Sequence, residues 1–120
     1  MRSIKEFVDD RGRIQILAGN WLRIETKAGA TRASHRHLKF GHLCFVEKGQ
    51  IIYYERKTGT IHKPKVRTIS EGESFYTAKL WDHTMTFPVD GVFYCLSDGK
   101  RDQKSYSKDT VKLNYDLTKA

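Results

Sequence analysis

The feature of this sequence that most limits its possible folds is a series of short β-type runs, each ended by a turn. Amphipathic helical periodicity is nearly absent, and the runs recur about every 8 to 12 residues, the spacing typical of antiparallel sandwiches and barrels. Each run is rich in Ile, Val, Tyr, Phe and Thr. The runs are Trp21–Lys27, Leu43–Val46, Gln50–Arg56, Val66–Ile69, Ser74–Thr77, His83–Phe87 and Val92–Leu96. The pattern predicts an all-β protein.

The length of the chain, 120 residues, suits one domain, because a second core would leave each half too small to bury enough surface. Fourteen aromatic residues are far more than a disordered chain carries. We expect an N-terminal segment over residues 1–19 and a β-barrel over residues 20–98. Residues 99–120 are polar and basic, and we expect them to form a tail that packs on the barrel or extends from it.

The net charge of +8 raises the question of a nucleic-acid partner, but the distribution of the basic residues argues against one. They are spread along the chain, with one denser stretch at His62–Arg67, and no basic motif interleaved with aromatic residues occurs. We interpret the charge as a solvated surface.

The sequence also points away from a membrane. No apolar run approaches the roughly 20 residues that a membrane-spanning helix needs, and the N-terminus lacks a secretory signal. Cys44 and Cys95 both lie inside apolar runs, which favours buried thiols in a reducing compartment. We therefore predict a cytoplasmic protein.

Histidines provide the clearest functional signal. Two histidines separated by one residue on a strand point to the same face, so His35 and His37 can present two imidazoles to one point. His42 opens the next apolar run, on the face that also carries Cys44. Imidazole suits Fe, Ni, Cu, Zn or Mn, and several imidazoles at one point can hold a single metal ion. Alternatively, such histidines are hydrogen-bonded side chains of a pocket that binds a ligand without metal.

The histidine spacing resembles the first motif of the cupin family, G-x5-H-x-H-x3,4-E-x6-G. Five residues separate Gly29 from His35, and His37 follows. Four residues then lead to His42, and six more lead to Gly49. Every spacing fits, but a histidine stands where the family has its glutamate.

The second cupin motif, G-x5-P-x-G-x2-H-x3-N, is matched in part. Gly72 and His83 occupy its first glycine and its histidine. Ala78, Leu80 and Phe87 replace its proline, second glycine and asparagine. The two motifs together, in this order on strand-rich sequence, make the chain resemble a small cupin over about residues 20–97.

The resemblance implies an antiparallel β-barrel or jelly roll that holds a divalent metal, Fe, Ni, Zn or Mn, and acts on a small molecule. By analogy the ligands are His35, His37, His42 and His83. An imidazole in place of the carboxylate leaves the bound dication with more of its charge and Lewis acidity. Some cupin dioxygenases likewise lack the glutamate and use three histidines on Fe(II), so chemistry with O2 is one implied activity. Pairing of edge strands or N-terminal segments implies a homodimer.

Four further residues are candidates for the substrate pocket: Arg23, Cys44, Trp81 and Met85. Arg23 shares a strand face with Glu25, and the two either orient an anionic substrate or form a solvated pair. Cys44 follows His42 on one face, as a pocket thiol or an apolar filler. Trp81 falls in a loop predicted before His83, where it stacks on a planar ring or caps the barrel. Met85 shares the face of His83.

Two alternative functions stay open. Asp9-Asp10-Arg11-Gly12 is similar to the Asp-x-Arg-Gly start of cupin isomerases and epimerases of nucleotide-linked sugars. Those enzymes use pocket histidines as acid and base groups, so this reading predicts no metal. The second alternative is a non-catalytic cupin that senses a ligand.

Overall fold

The structure, a computed structural model, describes residues 5–18, 20–98 and 108–120. β-Strands dominate it. They are β1 (Lys5–Asp9), β2 (Gly12–Ala18), β3 (Trp21–Thr26), β4 (Thr31–His37), β5 (His42–Lys48), β6 (Gln50–Lys57), β7 (Lys65–Ser70), β8 (Ser74–Thr77), β9 (Trp81–Thr86), β10 (Gly91–Ser97) and β11 (Thr110–Lys112). A 3-10 helix spans Leu117–Lys119 near the C-terminus. None of the helices in these ranges is long and apolar enough to cross a membrane.

The strands form two antiparallel sheets. The six-stranded sheet has the order β1-β2-β3-β10-β5-β8, and the five-stranded sheet has the order β11-β4-β9-β6-β7. From β3 to β6, and again from β7 to β10, each connection passes from one sheet to the other. This is the arrangement of a jelly roll, and it confirms the predicted all-β class.

The core lies between the two sheets because apolar residues alternate along the strands. In β5, His42, Cys44 and Val46 are buried while the residues between them are exposed. In β10, buried and half-buried residues alternate over all seven positions. The apolar core consists of Leu22, Ile24, Cys44, Val46, Ile51, Tyr53, Ile69, Phe75, Met85, Phe87, Phe93 and Cys95.

The C-terminal segment packs on the outer face of the five-stranded sheet. β11 pairs with β4, and Leu113 and Leu117 are buried. This cover explains why four successive residues of β9, from Asp82 to Met85, are all buried. A strand covered on both faces loses the alternation of buried and exposed residues.

Each of the seven predicted runs lies wholly or largely in a strand, but several boundaries differ. The run predicted to begin at His83 begins at Trp81, so Trp81 is the first residue of β9 and not part of a loop. Four strands lie outside the seven predicted runs. β1 and β2 lie in the expected N-terminal segment. β4, the strand assumed for His35 and His37, is too polar to be among the runs. β11 comprises only three residues.

Candidate functional site

A cavity of about 200 Å³ lies between the two sheets. All four candidate histidines line it. The residues that line the cavity are Arg11, Ile14, Leu22, Ile24, Arg32, Ala33, His35, His37, His42, Cys44, Thr77, His83, Met85, Phe93 and Cys95. The lining is therefore rich in imidazole, most of the remainder is apolar, and two arginines also contribute.

The four histidines form a contiguous cluster. The ring centroid of His37 lies 4.6 Å from that of His35, 4.1 Å from that of His42 and 5.4 Å from that of His83. The centroids of His35 and His83 are 4.7 Å apart. Ligand atoms of His35, His37 and His83 all lie within 4.8 Å of one another, and so do those of His37, His42 and Asp109.

Three strands bring the histidines together. His35 and His83 are register partners in the pairing of β4 with β9. His37 is the last residue of β4, and His42 is the first residue of β5. Gly41 precedes His42 directly, and a Cβ atom at this glycine would collide with the phenol of Tyr76. A side chain at position 41 would therefore force the exposed ring of Tyr76 to move.

A β-bulge in β4 sets which side chains reach the cavity. The register with β9 shifts between Ala33 and His35, and Ala33 and Ser34 have φ values of 67° and 59°. Such values are uncommon for residues other than glycine and are found where the surroundings enforce them. Because of the bulge, Arg32 and His35 line the same cavity although they are three residues apart.

His83 is held as a neutral ring. Its Nδ1 atom lies 3.2 Å from the carbonyl oxygen of Trp81, which places the proton on Nδ1 and leaves the lone pair on Nε2. Burial, reinforced by the neighbouring His37, lowers the pKa of His83 to about 4, although the Trp81 carbonyl and Asp82 act in the opposite direction. A neutral imidazole with a defined tautomer is the form that binds metal.

His37 is oriented by a carboxylate from the C-terminal segment. Its Nδ1 atom lies 3.2 Å from Oδ2 of Asp109, and both side chains are buried. The other carboxylate oxygen of Asp109 accepts a hydrogen bond of 2.6 Å from the backbone N–H of Lys39. The backbone N–H of Leu38 donates to the carbonyl oxygen of Asp109 at 2.8 Å. A carboxylate behind a histidine is the usual support of a metal ligand.

A second buried carboxylate, Asp82, anchors β9 next to His83. It accepts hydrogen bonds from Arg36 Nε and Thr58 Oγ1, each at 2.8 Å, and from the phenol of Tyr115. Burial raises the pKa of Asp82, but the hydrogen bonds from Tyr115, Arg36 and Thr58 outweigh it, so the pKa lies below its usual value. The network ties β9 to β4 and to the C-terminal segment.

The four pocket candidates separate into two pairs. Cys44 and Met85 line the cavity. Arg23 lies on the outer face of the six-stranded sheet, where its Nη1 atom contacts Glu25 at 2.5 Å. Trp81 is half-buried and is not among the residues that line the cavity.

Three charged residues at the site escaped the sequence reasoning. Asp109 is 72 positions from His37 and lies in a segment expected to be a tail. Alternation cannot predict the inward position of Arg32 because the bulge interrupts it. Arg11 was noted only in the Asp-x-Arg-Gly resemblance, yet it lines the cavity.

No model of a known protein family and no curated protein sequence matches the chain. Solved structures do. The capsular polysaccharide assembling protein CapF from Staphylococcus aureus superposes on 96% of the chain with a TM-score of 0.81 and 19% sequence identity. Oxalate decarboxylase from B. subtilis covers 92% of the chain with a TM-score of 0.72 and 13% identity. These proteins share one fold. The chain has the cupin fold.

The cupin neighbours differ in length and in chemistry. The chain spans 35% of CapF and 30% of oxalate decarboxylase, so it corresponds to about a third of each. It spans 83% of the QdtA 3,4-ketoisomerase from Thermoanaerobacterium thermosaccharolyticum, whose structure is a complex with TDP; the TM-score is 0.64 and the identity 18%. At these identities the likeness establishes the fold alone.

Proposed function

We propose that this cupin binds a divalent transition metal through His35, His37, His42 and His83 and acts on a small molecule in the adjacent cavity. The observation that carries the proposal is the convergence of ligand atoms from His35, His37 and His83, within 4.8 Å of one another, at the wall of a cavity. Three imidazoles that share an open position are a common arrangement in catalytic metal sites.

The spacing of the donors supports a metal. Nitrogen ligands at 2.0–2.1 Å from an ion are at most about 4.2 Å apart, so atoms within 4.8 Å need only a small adjustment. The contacts behind the rings support it as well, because Trp81 and Asp109 occupy Nδ1 of His83 and of His37. In this proposal Nε2 of each ring binds the ion, and His42 completes the set at the position of the family's glutamate.

The metal, the histidines and the apolar lining of the cavity would have different roles. A bound metal would supply Lewis acidity or, if it is iron, chemistry with O2. The histidines would hold the ion without neutralising its charge, because imidazole is a neutral ligand. Apolar side chains such as Met85 and Phe93 would limit the access of water and strengthen electrostatic interactions within the cavity.

The size of the cavity favours a small substrate. Pockets for drug-sized ligands measure about 300–1,000 Å³, whereas this cavity measures about 200 Å³. A nucleotide-linked sugar would have to leave its nucleotide outside. The isomerase alternative nevertheless has support, since Arg11 lines the cavity and the QdtA ketoisomerase has the same fold.

Elemental analysis of protein prepared without a polyhistidine tag tests the metal. We expect about one metal ion per chain in the parent protein and a loss of metal in His83→Ala. His62→Ala is the matched control, because His62 lies in an exposed loop away from the cavity. The same series with His42→Ala reports whether the fourth histidine is a ligand.

The metal proposal fails if no variant and no parent sample binds metal after refolding with Fe(II), Ni(II), Zn(II) or Mn(II). A rise in melting temperature with nucleotide-linked sugars, in the same metal-free protein, would then favour the isomerase. Ligand binding without turnover would favour a sensor.

We also propose that the chain forms a homodimer through the outer face of the six-stranded sheet. Exposed apolar side chains cross three neighbouring strands there. Leu96 pairs in register with both Trp21 and Leu43, and Tyr94 pairs with Phe45. Trp21, Leu43 and Phe45 are each between 44% and 48% exposed. A contiguous apolar patch of this kind is typical of an interface between proteins.

A further inference from the structure

The histidine cavity is also lined by a buried, positively charged side chain, that of Arg32. Arg32 lines the cavity, and only 6% of its surface is exposed. Its side chain extends from β4 toward the opposite sheet. Nε donates to Thr26 Oγ1 at 3.2 Å, and Nη2 donates to the carbonyl oxygen of Glu25 at 3.3 Å. These two contacts fix the plane of the guanidinium group.

No described carboxylate forms an ion pair with Arg32. Within residues 5–18, 20–98 and 108–120, no ion pair includes it, and Nη1 donates no hydrogen bond. Asp9 lies nearby but is bound by Arg11, whose Nε and Nη2 atoms contact Asp9 Oδ2 at 3.0 and 2.6 Å. A buried charge without an oppositely charged partner is costly, and an anion bound at Arg32 would offset that cost.

The charge of Arg32 indicates which kind of ligand would bind there. Arg11 and Asp9 neutralise each other, so Arg32 leaves one uncompensated positive charge. Guanidinium groups bind carboxylates through two parallel N–H···O bonds. A carboxylate therefore matches the charge of Arg32 and the donor geometry of its guanidinium group.

We propose that Arg32 binds the carboxylate of a small organic acid whose other end reaches the histidine cluster. This inference deepens the proposed function and rests on it for the role of the second end. The anion site itself requires no metal, because it consists of side chains and backbone atoms of the chain. Arg32 would thus orient the acid within a cavity too small for a larger ligand.

Calorimetry and thermal unfolding of the full chain test this proposal. The probes are sodium formate, acetate and pyruvate, compared with sodium chloride at equal ionic strength, for both the metal-free and the zinc-treated protein. We expect at least one carboxylate to raise the melting temperature and to bind with a measurable Kd. In Arg32→Met that Kd should rise at least tenfold.

Arg23→Met is the matched control, because Arg23 lies on the outer face of the same protein and outside the cavity. It should bind the carboxylates as the parent does. Arg32→Lys keeps the charge without the planar fork and should bind with intermediate affinity. If Arg32→Met does not fold, the affinity of Arg32→Lys for the carboxylates tests the proposal instead.

Three outcomes would overturn the proposal: none of the carboxylates binds, they bind Arg32→Met as tightly as the parent, or inorganic phosphate binds more tightly than any of them. The last outcome would indicate a phosphorylated ligand instead. Binding of a carboxylate by protein that takes up no metal would refute the metal centre alone. Metal uptake without carboxylate binding would refute the anion site alone.

Discussion

At the scale of single residues, the site depends on what lies behind the imidazoles. A histidine has two ring nitrogens, and the partner of one determines what the other can do. The carbonyl oxygen of Trp81 occupies Nδ1 of His83, and the carboxylate of Asp109 occupies Nδ1 of His37. The carboxylate contact differs from the carbonyl contact because a negative charge also makes the ring a stronger donor to a cation.

Asp109→Asn should therefore weaken metal binding without removing a metal ligand. The asparagine keeps the size of the side chain but lacks its charge, and loss of such a partner typically costs about 10–100-fold in affinity. Competition with a chromophoric chelator for Zn(II) measures the change. Asp116→Asn is the control, because Asp116 caps the C-terminal 3-10 helix in the same segment. Equal affinities of parent and Asp109→Asn would show that Asp109 does not support the metal ligand.

At the scale of elements, β4 contributes more to the site than any other strand. It carries two of the four histidines as well as Arg32. A regular strand would direct Arg32 and His35 to opposite faces, because they are separated by an odd number of positions. The bulge at Ala33 and Ser34 brings both side chains to the same face, but it requires two residues with positive φ. A left-handed conformation costs a residue with a side chain about 1–2 kcal/mol.

Ala33→Gly should consequently stabilise the protein. Glycine relieves the strain at φ 67° but adds about 0.5–1 kcal/mol of chain entropy cost, so the net gain is about 0.5–1 kcal/mol. We expect a melting temperature about 2–6 °C higher by calorimetry. Ala78→Gly is the control and should lower it, because Ala78 is half-buried and is not among the residues with positive φ. A decrease in both variants would indicate that the bulge is not strained.

The same bulge marks the limit of what the sequence could predict. Alternation correctly predicted that His42 and Cys44 share a face, because β5 is regular and covered on one side. It could not predict the position of Arg32, since one irregular residue pair reverses the faces of a strand. Asp109 was missed for another reason: its contact with His37 joins distant parts of the chain, and periodicity carries only local information.

At the scale of the whole molecule, the outer faces of the two sheets differ. The C-terminal segment covers the five-stranded sheet, where Leu113 and Leu117 are buried. The outer face of the six-stranded sheet carries the exposed apolar patch around Phe45 and Leu43. Charged side chains such as Arg23 and Glu25 lie beside this patch and carry opposite signs. A surface with both signs at its edge can match a second copy of itself, as a twofold interface requires.

Phe45→Glu should convert the proposed dimer into a monomer. A carboxylate buried in the interface by each copy would be costly without a partner. Light scattering at micromolar concentration should give about 28 kDa for the parent, twice the 13.9 kDa of one chain, and the monomer mass for the variant. Ile61→Glu is the control, because Ile61 is 95% exposed in a loop outside this patch. A parent protein that is monomeric under these conditions would refute the dimer. An unchanged dimer in Phe45→Glu would show that the interface lies on another surface. Metal content should be the same in all three proteins, because Phe45 points away from the cavity that the histidines line.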